Sequence, residues 1–336
     1  VGVSRRDPQL PGVTHVPLDL LDTDACDDAI PADAFSGTTH VVYAALQERP
    51  GLVAGWRDRE LMDRNLAMFR NALDPTLRHH GDTLVHVSLL QGGKAYGVHL
   101  DSVPIPAKER SPRHPHENFY FTQEDHLRDA ADRAGFHWTI LRPQVVYGES
   151  FASPMNLIPA LGAYAAILRR RGLPLSFPGG AAHVSEAVDA DLLARALAWA
   201  ATSPAARNEV FNITNGDVFV WHHVWPSIAD AFGMEVGAPR PTRLATTMPA
   251  AADEWAAIVD EHGLRSPRSL DVFVGDAWSY ADMLFGFGVE QPRLPALLST
   301  VKIRQAGFAD CVDTEDMFRR WITRFQERRL IPPRAS

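Results

Sequence analysis

Cysteine is nearly missing. The 336 residues hold only Cys26 and Cys311, too few for a disulfide framework and without the paired spacing of a zinc knuckle. Both are expected to be free thiols in a reducing compartment. Lysine is almost as scarce: the 33 basic residues include only Lys94, Lys108 and Lys302, so a lysine that survives this bias is weighted toward chemistry. No apolar run is long enough to span a bilayer, and the longest, residues 156–168, predicts a buried helix. A net charge of −8 leaves no basic footprint for nucleic acid or an anionic membrane surface, although a local pair of arginines can still hold a phosphate. Nothing at the start reads as a signal peptide. The expectation is a soluble cytoplasmic protein without a metal, alone or as a homodimer. With 46% apolar and 22% charged residues, it has the ordinary balance of a globular chain.

What is present is an alternation. Thr39–Leu46 (THVVYAAL), Leu84–Leu90 and Trp138–Pro143 are apolar, β-branched runs expected to be buried parallel strands. Asp22–Ile30, Trp56–Leu73 and Phe121–Gly135 between them have helical character. This order predicts an α/β fold, a Rossmann-type doubly wound parallel sheet, whose ligands sit beyond the carboxyl ends of the strands. From about Ser150 the strand rhythm fades, except near Val210–Ile213. Residues 1–150 are therefore expected to form the nucleotide-binding domain, and 151–336 the last sheet elements plus a smaller, mostly helical substrate lobe.

A dinucleotide-binding fold opens on a strand, a Gly-rich turn and a helix that receives the pyrophosphate. None of the 23 glycines forms GxGxxG or GxxGxxG, and the chain starts at Val1 on what reads as the end of a second strand. The expectation is that about one βα unit is absent, the alternative being a fold that never had it.

Candidate residues follow the strand ends. Ser4, Arg5 and Arg6 stand where arginine accommodates a ribose 2′-phosphate, which points to NADPH. Asp19 and Leu20 are expected near the adenine, and Ala44 and Ala45 near the ribose and pyrophosphate. The next strand carries Ser88 and leads into Lys94. The usual reductase pair YxxxK is absent, since none of the six tyrosines has a lysine four residues on. Tyr120 stands at a helix entrance in HENFYFTQED, where an aromatic packing cluster explains it equally well. The Trp221, His222, His223 and Trp225 cluster is not read as a metal site, because adjacent histidines splay apart on a helix. His114 and His116 are read as loop residues.

LQGGKAYG around Lys94 and NFYFTQED around Tyr120 resemble the relocated catalytic pair of the progesterone 5β-reductase/iridoid synthase group within the short-chain dehydrogenase/reductase superfamily. The likeness continues through WTILRPQVVYG, SPMNLIPALGAYAAI and NEVFNITNGDVFVWHHVW, over nearly the whole chain. The resemblance implies NADPH-dependent reduction of an activated C=C bond in an enone or enal, with hydride delivered to the β-carbon. It implies Tyr120 as hydrogen-bond donor to the developing enolate, and Lys94 as the residue that holds the nicotinamide ribose and lowers the tyrosine pKa. Arg142, Pro143, Val145 and Val146 would cradle the nicotinamide, while Met155, Asn156, Trp278 and Tyr280 would line the substrate pocket. Two other functions stay open: a nucleotide-sugar epimerase or dehydratase, which would want YxxxK, and a non-catalytic NADP-binding redox sensor.

Overall fold

The computed structural model describes residues 1–8, 10–49, 55–291 and 294–335. In chain order the elements that matter are β1 (Gly2–Ser4), β2 (His15–Pro17), α1 (Thr23–Ala29), β3 (His40–Tyr43), α2 (Arg59–His80), β4 (His86–Leu90), α3 (Phe119–Ala134), β5 (His137–Pro143), α4 (Leu157–Arg170), α5 (Ala190–Thr202) and β6 (Glu209–Ile213). The strands β3, β4, β5 and β6 form one parallel sheet in the order β6–β5–β4–β3. Phe69, Leu73, Leu127 and Ala130 of α2 and α3 cover one face, and Leu192, Leu193, Ala196 and Ala200 of α5 cover the other. This double covering explains why the central strands read as continuous apolar runs. Rossmann-type α/β architecture is thus present, as the alternation predicts.

The sheet is split. β1 pairs in parallel with β2 as a separate ribbon, and among the described residues no strand joins β1 to β3. Between the two edges lies a cavity of about 810 Å³, walled by Val1 and Val3 on one side and Val41, Val42 and Tyr43 on the other. The expected burial of residues 39–46 is corrected accordingly: β3 is shorter, and Val42 is half exposed because its side chain opens on that slot.

Local chemistry sets the helix ends. Asp22, Asp58, Asn118 and Asn156 each accept a backbone N–H at the start of α1, α2, α3 and α4, a contact worth ~1 kcal/mol apiece. Gly135 ends α3 at φ 81°, a left-handed conformation that favours glycine. α2 runs seven residues past the predicted Leu73, to His80, carrying Pro75 inside it.

Beyond β6 the chain is mostly helical: α6 (Trp221–Phe232), α7 (Ala252–Glu261), α8 (Ala277–Leu284) and α9 (Thr314–Glu327). With α4 they share one core around Trp221, Trp225, Trp255 and Phe318. The strand rhythm persists there more than expected, as pairs of two-residue strands: Val146–Tyr147 with Val188–Asp189, Val184–Ser185 with Phe219–Val220, and Leu175–Ser176 with Val236–Gly237. Two residues are too few to show a period. Among the described residues no helix is long and apolar enough to cross a membrane. Cys26 is buried and Cys311 exposed, both as free thiols.

Candidate active site

The carboxyl end of β4 leads into Gly92, Gly93 and a 3₁₀ turn over Gly93–Tyr96. A Cβ on Gly92 would just touch both the Pro143 carbonyl and the Tyr120 hydroxyl, at 3.4 Å each. Lys94 rides on this turn. Tyr120 stands in the first turn of α3, and the cap that starts the helix fixes it: Asn118 accepts the Tyr120 N–H at 3.0 Å and donates to the Lys94 carbonyl at 3.1 Å. A single asparagine thus ties the lysine turn to the tyrosine helix. Both side chains open on a cavity of about 620 Å³.

The Lys94 ammonium is 3.2 Å from Glu48 Oε1, 4.5 Å from the Trp56 ring centroid and 5.8 Å from that of Tyr120. Burial lowers its pKa and Glu48 offsets part of that. Burial, followed by the charge of Glu48 and the neighbouring Tyr280, raises the Tyr120 pKa, with Arg142 opposing. The expectation that Lys94 lowers the tyrosine pKa is therefore corrected. The ammonium is engaged by Glu48, and the buried phenol stays protonated, as a hydrogen-bond donor. Tyr280, on α8 in the same cavity, is raised in the same way by burial and Glu48.

Ala44, Ala45, Pro143, Val145, Val146, Met155 and Asn156 all line this cavity. Asn156 also has a structural role, donating to the Gly148 carbonyl while capping α4. Ser4, Arg5, Asp19 and Leu20 line the slot between the two sheets, and Ala44, Ala45 and Leu46 border both spaces. The two spaces are therefore neighbours, with the end of β3 and the residues after it as their common border.

Four expected residues lie elsewhere. Arg6 is exposed and outside both linings. Ser88 is buried in the middle of β4, short of the strand end. Arg142 turns to the opposite face from Pro143 and is buried with Glu124 at 3.2 Å and Gln91 at 2.8 Å. Trp278 packs in the core of the helical lobe. Lining residues outside the expected set include Trp56, His99 and Glu186, together with Glu48 behind Lys94, while Gln144, whose backbone the resemblance placed at the nicotinamide, lines the cavity as well. None of these stands in a periodic element whose pattern would have aimed its side chain at the cavity. Among the described residues no cluster of histidine, cysteine and carboxylate could hold a metal ion.

Residues 46–332 match the PRISE-like Rossmann-fold domain. An (S)-8-oxocitronellyl enol synthase of Camptotheca acuminata is 35% identical over 289 residues, covering 82% of this chain and 71% of that protein. The 3-oxo-Delta(4,5)-steroid 5-beta-reductase of Arabidopsis thaliana is 30% identical, covering 98% of this chain and 85% of its own. Among solved structures, UDP-glucose 4-epimerase of Thermotoga maritima superposes with a TM-score of 0.63 at 16% identity, covering 97% of this chain and 90% of that one. At that identity it speaks for the fold alone.

Proposed function

The chain belongs to the PRISE-like Rossmann-fold family, and on that premise we propose that this oxidoreductase uses NADPH to reduce an activated C=C bond in an enone or enal. One observation carries the proposal: the Tyr120 hydroxyl and the Lys94 side chain, from separate elements, converge on one largely apolar cavity at the carboxyl end of the sheet. The residues present suit the two ends of a nicotinamide dinucleotide in these neighbouring spaces. Gly92 keeps the backbone open beside Tyr120 and Pro143, a cradle that a side chain would fill. At the far end, Ser4 and Arg5 suit a 2′-phosphate. The pyrophosphate between them would have no Gly-rich turn of this sequence to receive it.

Bound there, NADPH supplies the hydride that the β-carbon accepts. The chain's own residues do the rest. Tyr120, kept protonated by burial, donates a hydrogen bond to the carbonyl oxygen as enolate charge gathers on it, worth ~3–4 kcal/mol. Lys94 offers its ammonium to the ribose hydroxyls, shared with Glu48. Val145, Val146 and Met155 exclude water. The free thiols support a reducing, cytoplasmic setting.

The test is NADPH oxidation with 2-cyclohexen-1-one, by the chain as it stands and by a version extended at Val1 with a strand–Gly-rich turn–helix unit. Tyr120→Phe should cut kcat by ~10²–10³ and leave NADPH affinity in place. No turnover by either version, with NADPH bound, would refute the reduction.

A further inference from the structure

The roles given to Tyr120 and Lys94 leave the buried carboxyl of Glu186 in the same cavity without work. Glu186 follows the short strand Val184–Ser185 and lines the same space as Tyr120 and Lys94. It is 8% exposed, and among the described residues no base forms an ion pair with it. Its Oε2 accepts the Leu298 N–H at 2.8 Å, and the Gln144 side chain also hydrogen-bonds the carboxyl. Gln144 in turn donates to the Ala296 carbonyl at 2.6 Å, and its Oε1 lies 3.2 Å from where a Cβ on Gly93 would be. Gln144 thereby links Glu186 to the segment carrying Ala296 and stands beside the turn that carries Lys94.

A carboxyl buried among apolar walls without a counter-ion favours its neutral form. Burial raises its pKa to about 7; the Leu298 and Gln144 hydrogen bonds lower it, and the charge of Asp217 raises it. The other titratable groups lining the cavity are Lys94, His99, Tyr120, Glu149, His183 and Tyr280. Glu186 is thus an acid with a proton to give near neutrality, in the same space as a tyrosine suited to holding an enolate.

We propose that Glu186 is the general acid that completes the reduction, passing its carboxyl proton to the α-carbon of the enolate held by Tyr120. This rests on the enone reduction proposed above. Once the β-carbon is reduced, the electron pair of the enolate C=C forms the new α-C–H bond with the Glu186 proton. The C=O re-forms, and the Glu186 carboxylate recovers a proton from water. The product leaves as a saturated carbonyl instead of an enol. The names of the relatives divide along this line, into enol synthases and a steroid 5-beta-reductase.

The step can be tested without cofactor, because it runs in reverse. With cyclohexanone in D₂O, the Glu186 carboxylate should remove an α-proton while Tyr120 holds the oxygen, and proton NMR follows the exchange. The wild type should exchange faster than buffer, increasingly so as pH rises through about 7. Glu186→Gln, whose amide oxygen can still accept from Leu298, should lose ~10²-fold or more, and Tyr120→Phe should also slow it. In the forward direction, 2-methyl-2-cyclohexen-1-one gains a stereogenic α-carbon. The wild type should give one enantiomer in excess, and Glu186→Gln a product close to racemic. Absence of wild-type exchange, or a Glu186→Gln variant that exchanges or enriches as the wild type does, overturns the proposal. Glu186-dependent exchange without any NADPH oxidation would sink the reductase reading and leave the acid standing.

Discussion

Replacing Arg142 by methionine separates a structural arginine from a cofactor-binding one. The guanidinium is buried, with Nε on Gln91 at 2.8 Å, Nη2 on Glu124 at 3.2 Å and the Tyr96 ring 5.1 Å away. Methionine fills similar volume but strands the Glu124 carboxylate, itself 4% exposed. Breaking a buried pair by removing one partner costs ~3–5 kcal/mol. Arg128 and Arg113 still reach the other Glu124 oxygen at 2.8 and 3.3 Å, which places the cost at the lower end, ~3 kcal/mol. An unfolding entropy of ~0.7 kcal/mol/K for a chain of this length converts that to a fall in Tm of ~4 °C, read by scanning calorimetry at pH 7. The pH dependence gives a second readout. Burial alone would raise the Glu124 carboxyl, but Arg142, Arg113 and Arg128 together hold it below its ordinary value of 4.5. The stability this contributes is present above that value and lost as pH falls through the lower folded one. The gap between wild type and variant should therefore narrow in acid. An unchanged Tm together with lost NADPH affinity would refute the structural assignment and return Arg142 to the cofactor.

Three further outcomes are expected. Gly180→Ala would drive a Cβ into the carbonyl oxygens of Gly286 and Val289, backbone that cannot give way, and should cost ~1–3 kcal/mol; a wild-type denaturation midpoint would contradict this. Burial pushes His86 down to about 4 and, with nearby positive groups, His99 to about 4. The unfolded chain therefore takes up protons first, and stability should fall as pH drops from about 6.5 toward 4. His86→Leu should flatten that slope in urea denaturation series, and an equally steep slope would count against it. Glu48→Gln removes the group that offsets the burial of Lys94, so the Lys94 pKa should fall further. With only three lysines in the chain, ¹³C-methyl labelling and NMR titration can resolve it, and a rise would show that Glu48 does not govern the ammonium.

The parallel sheet was legible because its strands are contiguous, apolar and separated by helices with their own period and caps. Tyr120 and Lys94 were legible as an ordered pair of motifs, and their meeting in one cavity is what the fold adds. Ser88 and Arg142 lie off the cavity because of the register of a strand. Side chains alternate between faces, so Pro143 lines the cavity while Arg142, one residue earlier, turns to Glu124. Trp278 was read as pocket because an aromatic at helical spacing looks the same in a core. Glu48 and Glu186 stand on connecting segments, where no periodicity announces which way a side chain will face.

The proton inventory of the cavity has a direction to it. Tyr120 and Tyr280 are both held protonated by burial, and the charge of Glu48 pushes them the same way. Tyrosinate is disfavoured, so neither phenol suits the work of a base, and both suit donation to an oxygen that is becoming negative. An enolate-forming carbonyl asks for such a donor, whereas oxidation of an alcohol asks for the opposite. Lys94 does not reverse this polarity, since its ammonium is held by Glu48 at 3.2 Å and the charge of Glu48 is what reaches the phenols. What Lys94 can still do is offer its remaining N–H bonds to hydroxyl groups. In the proposed reduction the lysine is then the anchor, the tyrosine the donor, and the acid–base work falls to Glu186, whose carboxyl burial raises to about 7.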